Sequence, residues 1–224
     1  MNRTIRVTLV TLCAGLAWLS LNRSVWGQQQ SSKLYVVIIR AVGPLPGQDK
    51  PEGVDAVTAA TTKVVNTYVF TERLAKAFTN LNTNTRIVDV AKCRDLQCLL
   101  PQPTAGSPEK ADIVVFAGPA HYSKLPNQLQ ALFPKLGEIA KSRPGLVCSS
   151  LVAAWFPDPK GLDAAAHADS AFKAAGLRTV LGIPLLTPRE NKPGITQEAL
   201  DKALADFAAR LVAEARARTA EAKD

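Results

Sequence analysis

Five short runs of apolar, largely β-branched residues punctuate the chain, and between them the apolar positions change to helical spacing. Leu34 to Ala41 (LYVVIIRA) is too short for a helix and apolar at consecutive positions, which predicts a strand buried on both faces. Thr85 to Val90 (TRIVDV), Ala111 to Gly118 (ADIVVFAG), Gly145 to Leu151 (GLVCSSL) and Leu177 to Leu186 (LRTVLGIPLL) predict four more strands, the fourth followed by a loop from Val152 to Lys160. Phe70, Leu74, Ala77, Phe78 and Leu81 recur on one helical face, with Asn80 and Asn82 closing the pattern. Leu125, Leu129, Leu132, Phe133, Leu136 and Ile139 mark a helix that Pro134 breaks or restarts. Leu162 to Ala175 predicts an Ala-rich helix closed by Gly176, and a last helix starts near the N-cap Thr196 with Ile195, Leu200, Leu204, Phe207 and Leu211 on one face.

Strands alternating with amphipathic helices predict an α/β domain whose five-stranded parallel sheet is covered on both faces, because parallel strands need crossover connections. The first strand is expected at the centre. In such sheets ligands bind outside the carboxyl ends of the strands where the winding reverses, which directs attention to the loops after Ala41, Gly118 and Leu151.

The N-terminus changes the picture. Arg3 and Arg6 precede the apolar run Val7 to Leu21, which has the length of a secretory h-region, and Val25 and Gly27 occupy −3 and −1 of a cleavage site. Residues 1–27 therefore read as a signal peptide for a periplasmic or extracellular protein, with a single domain over 28–224. The alternative is an uncleaved anchor ending at Asn22 and Arg23, the one case in which this reading includes membrane contact. Cleavage removes three arginines and no acid, lowering the formal charge from +8 to +5. That excess is spread without a dense basic block or interleaved aromatics, which argues against nucleic acid. Export allows a Cys93–Cys98 disulfide with Cys148 left in its strand, although spacing leaves the connectivity open. His121 and His167 have no finger-like spacing to the cysteines, so no metal site is expected, and His167 with Asp163 reads as a solvated helical pair.

The stretch Ala111 to Phe133, ADIVVFAGPAHYSKLPNQLQALF, resembles the flavodoxin and flavin-dependent NAD(P)H quinone reductase families in its third strand, its Gly-Pro turn and the helix start that follows. The resemblance extends more loosely from Lys33 to Arg210 and implies a doubly wound sheet of order 2-1-3-4-5 with FMN as cofactor. It makes Gly118, Pro119, Ala120, His121 and Tyr122 the candidate contacts of the flavin ring, since a planar ligand needs close backbone approach and a flat apolar wall. Ser149 and Ser150, at the end of the fourth strand, complete the candidate set without a Gly-x-Ser-x-Gly elbow. Flavodoxins cradle the phosphate in a compact hydroxyl-rich loop after the first strand. Here about 25 residues intervene, and the loop is reduced to Thr61, Thr62, Asn66 and Thr67 at the helix start.

A second stretch, Asp55 to Thr61 (DAVTAAT), is similar to the motif on which exported flavoproteins receive covalent FMN, with Thr61 as acceptor. Ala59 stands where that motif has glycine, so no adduct is expected. Together these observations imply an exported FMN-binding oxidoreductase or electron-transfer protein with a small acceptor such as a quinone. The alternative is a non-catalytic interaction domain of the same fold that has lost the cofactor.

Overall fold

The computed structural model describes residues 33–41, 63–93, 111–120, 123–143, 145–154, 162–187 and 194–221. In chain order these form β1 (Tyr35–Arg40), α1 (Lys63–Asn80), β2 (Asn84–Asp89), a 3-10 turn (Val90–Lys92), β3 (Ile113–Pro119), α2 (Asn127–Gln130), α3 (Phe133–Ser142), β4 (Val147–Ala154), α4 (Leu162–Ala174), β5 (Arg178–Thr179), β6 (Ile183–Leu186) and α5 (Gln197–Glu221). Every strand pairing is parallel, and the order is β2-β1-β3-β4-β5, with β6 also paired to β4.

The apolar runs become strands because they have a core on each side. Along β1, Val36 and Ile38 enter one core with Phe70 and Leu74 of α1 and Leu204 and Phe207 of α5. Val37 and Ile39 enter the other, with Leu129 of α2, Leu136 of α3 and Phe172 of α4. In that second core Phe116, Phe133 and Phe172 stack with centroids 5.0 to 5.4 Å apart, joining β3 to α3 and α4.

Chain punctuation follows local chemistry. Asn82, at φ 59°, closes α1 in the left-handed region. Gly176, at φ 78°, does the same for α4: Leu177 N–H donates to Phe172 O and Gly176 N–H to Lys173 O, the paired bonds of a Schellman ending. Thr196 Oγ1 accepts from Ala199 N–H at 3.3 Å, capping α5 as expected. Pro134 is the second residue of α3, a position that needs no intrahelical N–H bond, so the chain restarts there rather than kinking.

Two boundaries differ from the sequence expectation. The fourth strand does not end at Leu151 but runs to Ala154, because Leu151 to Ala154 pair with Ile183 to Leu186. The fifth strand is split into β5 and β6, with Val180 to Gly182 lying outside both. At this break Gly182 lies so close to β4 that a Cβ would fall 2.0 Å from Ser150 Oγ and 2.5 Å from Ser150 O. The two segments occupy one fifth place beside β4, so the doubly wound α/β class stands.

Candidate functional site

All strands point the same way, so their last residues form one edge of the sheet. Arg40 lies level with Asp89 on one side and Ala117 on the other, and Pro119 lies level with Ala153. Hydrogen bonds carry the pairing beyond the strands: Ala41 N–H donates to Ala117 O at 2.9 Å, Ala120 N–H to Ala153 O at 2.8 Å and Thr187 N–H to Ala154 O at 2.8 Å. From β1 the chain passes through α1 to β2 on one side, then crosses to β3 on the other. The winding therefore reverses between β1 and β3, next to Ala41 and Ala120, the position at which sheets wound this way take ligands.

The residues expected to make a site do not all gather at this edge. Gly118 and Pro119 end β3 there, with Ala120 directly after them. Gly118 is enclosed by protein: a Cβ would stand 2.8 Å from Pro126 Cδ, 3.1 Å from Pro126 Cγ and 3.2 Å from Leu129 Cδ1. Asn66 and Thr67 are the fourth and fifth residues of α1, both fully buried and both engaged in polar contacts, rather than open caps at its start. Ser149 and Ser150 sit in the middle of β4, each 1% exposed, because the strand continues four residues past them. Ser149 Oγ donates to Val180 O at 2.7 Å across the break in the fifth strand, and Ser150 Oγ has no hydrogen-bond partner. Thr61, Thr62, His121 and Tyr122, together with Asp55 and the rest of the covalent-flavin motif, lie outside the described residues.

The edge also holds a group that the sequence reading missed. The Arg40 guanidinium lies 4.0 Å from the centroid of the Tyr68 ring, donates from Nε to Asp89 Oδ1 at 2.7 Å and reaches Glu72 Oε1 from Nη1 at 3.4 Å. It ties β1, β2 and α1 together where β1 ends. The equal-length strands YVVIIR and NTRIVD carried the signal: parallel and in register, they bring the final arginine and the final aspartate side by side.

The cysteines take separate roles. Cys93 is disulfide-bonded and fully buried after the 3-10 turn, while the expected partner Cys98 lies outside the described residues. Cys148 is a free thiol in β4, and burial pushes its pKa well above the ordinary thiol value. A thiol held neutral in this way is a packing group, not a nucleophile. Among the described residues no cluster of three or more His, Cys, Asp or Glu could hold a metal ion, and no helix is long and apolar enough to cross a membrane.

No family model and no curated protein matches the sequence. Solved structures do resemble the fold. RosB with a bound 8-demethyl-8-formylriboflavin-5'-phosphate intermediate superposes with a TM-score of 0.54 at 13% identity, over 82% of this chain and 79% of that one. A flavodoxin, WrbA-like protein from Agrobacterium tumefaciens gives 0.50 at 13% identity, over 83% and 98%. The Flv1 flavodiiron core from Synechocystis sp. PCC6803 gives 0.50 at 18% identity over 88% of this chain, which spans only 41% of that protein. At these identities the likeness speaks to architecture alone, and with the strand order and the helices on both faces it is sufficient for one conclusion: this chain has a flavodoxin-like fold.

Proposed function

We propose that the chain is an exported flavin-binding protein that holds FMN non-covalently at the carboxyl edge of its sheet and supports oxidoreduction, with a small acceptor such as a quinone. The observation that carries this reading is the reversal of winding between β1 and β3, with α1 following β1 from that same edge. The first turn of α1 holds no acidic residue, so the positive end of its dipole suits a phosphate. On this reading the end of β3, Pro119 and Ala120, stands beside the ring. When bound, the flavin supplies the hydride or electron transfer; the chain's own part is to orient the ring, cover one face and exclude water. The RosB complex, with its riboflavin-phosphate-type ligand on the same architecture, supports the choice of ligand class. Export is supported by the disulfide at Cys93, a bond that persists in oxidising compartments.

One observation favours the second reading, a domain that keeps the fold without the cofactor. Asn66, Thr67, Ser149 and Ser150 are turned into the protein, so few described side-chain donors face the edge. Titration of the mature domain with FMN and with riboflavin separates the two readings, with flavin fluorescence and thermal stability followed together. A ligand that binds only the folded state raises its stability by mass action, so binding is expected in both signals. FMN should bind more tightly than riboflavin through its phosphate. If high FMN changes neither signal, the cofactor-free domain is the better account.

A further inference from the structure

The sheet has two free edges, and the chain treats them in opposite ways. At the β6 edge, Thr187 N–H donates inward to Ala154 O, so alternation turns the backbone groups of Pro184 and Leu186 outward. Pro184 has no N–H to offer there, and Leu186 O accepts from Ile195 N–H at 3.2 Å, so that edge is closed. β2, at the opposite edge, has neither device. Asn84 N–H donates inward to Leu34 O at 2.8 Å, and along the continuous register with β1 the backbone groups of Arg86 and Val88 follow it. The N–H and C=O groups of Thr85, Ile87 and Asp89 therefore point away from the sheet, and none of the described residues pairs with them. The strand holds no proline, no lysine and no bulge, and Asn84 to Ile87 are only half-buried. An edge left in this state is a template for another strand.

We propose that this edge binds a second copy of the chain, the two β2 strands pairing antiparallel about a two-fold axis at Ile87 so that one sheet runs through both protomers. The strand is self-complementary in that register. Ile87 lies opposite Ile87 of the second copy and Thr85 opposite Asp89, so every outward backbone group finds a partner. Arg86 falls opposite Val88, and no like charges meet directly. An axis at Arg86 would set the two arginines against each other, an axis at Asp89 the two aspartates, and an axis at Val88 would carry Thr85 past the end of the partner strand. The Asp89 carboxylate already accepts from Arg40 Nε at 2.7 Å, so it meets Thr85 of the second copy as a neutralised group. No flavin is needed for this contact.

Sedimentation equilibrium of the purified protein, from low micromolar to near-millimolar concentration, should show a monomer–dimer equilibrium, and a monomer throughout that range overturns the proposal. Ile87→Pro removes only an N–H that points away from β1, so the ladder to β1 survives while the central pair of bonds between the copies is lost. Its dimer dissociation constant should rise by about tenfold or more, the size of effect that losing a pair of backbone hydrogen bonds produces. A dissociation constant equal to the parent's overturns the proposal. Ile87→Cys tests the register whether or not the proline variant folds. Residues facing each other in a bonded antiparallel pair have Cα atoms about 5.5 Å apart, within the span of a disulfide, so mild oxidation should convert Ile87→Cys to a covalent dimer. Thr85→Cys should stay uncrosslinked, because its counterpart lies roughly 13 Å away along the strand. Cys148 is buried and Cys93 is already bonded, so neither competes. Absence of the covalent dimer in Ile87→Cys, or equal cross-linking of the two variants, overturns the pairing.

Discussion

Replacing Gly118 by alanine tests whether this glycine serves a ligand or the fold. The added Cβ would lie 2.8 Å from Pro126 Cδ, a separation real Cβ contacts essentially never show, with Pro126 Cγ at 3.1 Å and Leu129 Cδ1 at 3.2 Å. Pro126 cannot simply swing away. Its carbonyl accepts from Leu129 N–H at 2.9 Å and from Gln130 N–H at 3.1 Å, so moving it moves the start of α2. Overpacking of this kind costs about 1–3 kcal/mol. At about 2–4 °C per kcal/mol for a chain of this size, Tm of the flavin-free protein should fall by roughly 2–12 °C. Pro126→Ala removes the two closest atoms and leaves only the Leu129 contact, which a shift of a few tenths of an ångström relieves. The double variant Gly118→Ala/Pro126→Ala should therefore be more stable than the two single losses sum to, by about 1 kcal/mol or more in a double-mutant cycle. Differential scanning calorimetry of the four proteins reads both quantities. If Gly118→Ala has the parent's Tm and loses only flavin affinity, the packing argument is wrong and the glycine is there for close approach of a ligand.

Gly182→Ala should be more damaging still, because one of its clashes is with the Ser150 carbonyl oxygen at 2.5 Å, which no side-chain rotation relieves. Adding Ser150→Ala is then expected to restore only part of a loss of about 3 kcal/mol or more, and full rescue in urea unfolding would contradict the geometry. Arg40→Met keeps an apolar stem but removes the guanidinium over Tyr68 and leaves Asp89 and Glu72 without their cation; with Arg40 12% and Asp89 30% exposed, a loss of about 1–3 kcal/mol is expected, and Arg40→Lys should recover only part because the ring stacking and the Nε bond need the guanidinium. Unchanged urea stability in Arg40→Met would refute the clasp. Cys148 should resist iodoacetamide until the protein unfolds, and labelling of the native protein faster than global unfolding would refute its burial. Its pKa is raised on folding from 9.0, so the stability tied to the neutral thiol is fully present below that value and declines as pH rises past it, with Cys148→Ala showing a shallower alkaline decline.

The fold was legible because its signals are local. The first, third and fourth strands are runs whose composition announces burial on both faces, and each helix carries its face and its stop within a few residues, as Phe172, Gly176 and Leu177 do at the end of α4. What could not be read locally was decided across the sheet. Val152 to Ala154 look like the start of a loop until Pro184 to Leu186 lie beside them, and LRTVLGIPLL looks continuous until Gly182 is set against Ser150. The Arg40 clasp is of the same kind, since no window contains Arg40, Tyr68, Glu72 and Asp89 together.

The candidate site was legible as a place but not as a set of side chains, for a reason that bears on how it would work. Hydroxyls and amides near strand ends and helix starts invite a reading as ligand donors, yet in a sheet covered on both faces the same groups can satisfy the backbone. Ser149 bonds to Val180 O, and Thr71, one turn below Thr67, donates to the carbonyls of Thr67 and Tyr68. With those side chains turned inward, the described part of the edge offers backbone at the end of β3 and at the start of α1, beside the Arg40 clasp. A site of this kind depends on conformation more than on the identity of any one hydroxyl. A position that constrains the backbone, Gly118, should then govern binding more strongly than Thr67. This ordering distinguishes the arrangement from a hydroxyl-rich phosphate cradle, in which the threonines would come first.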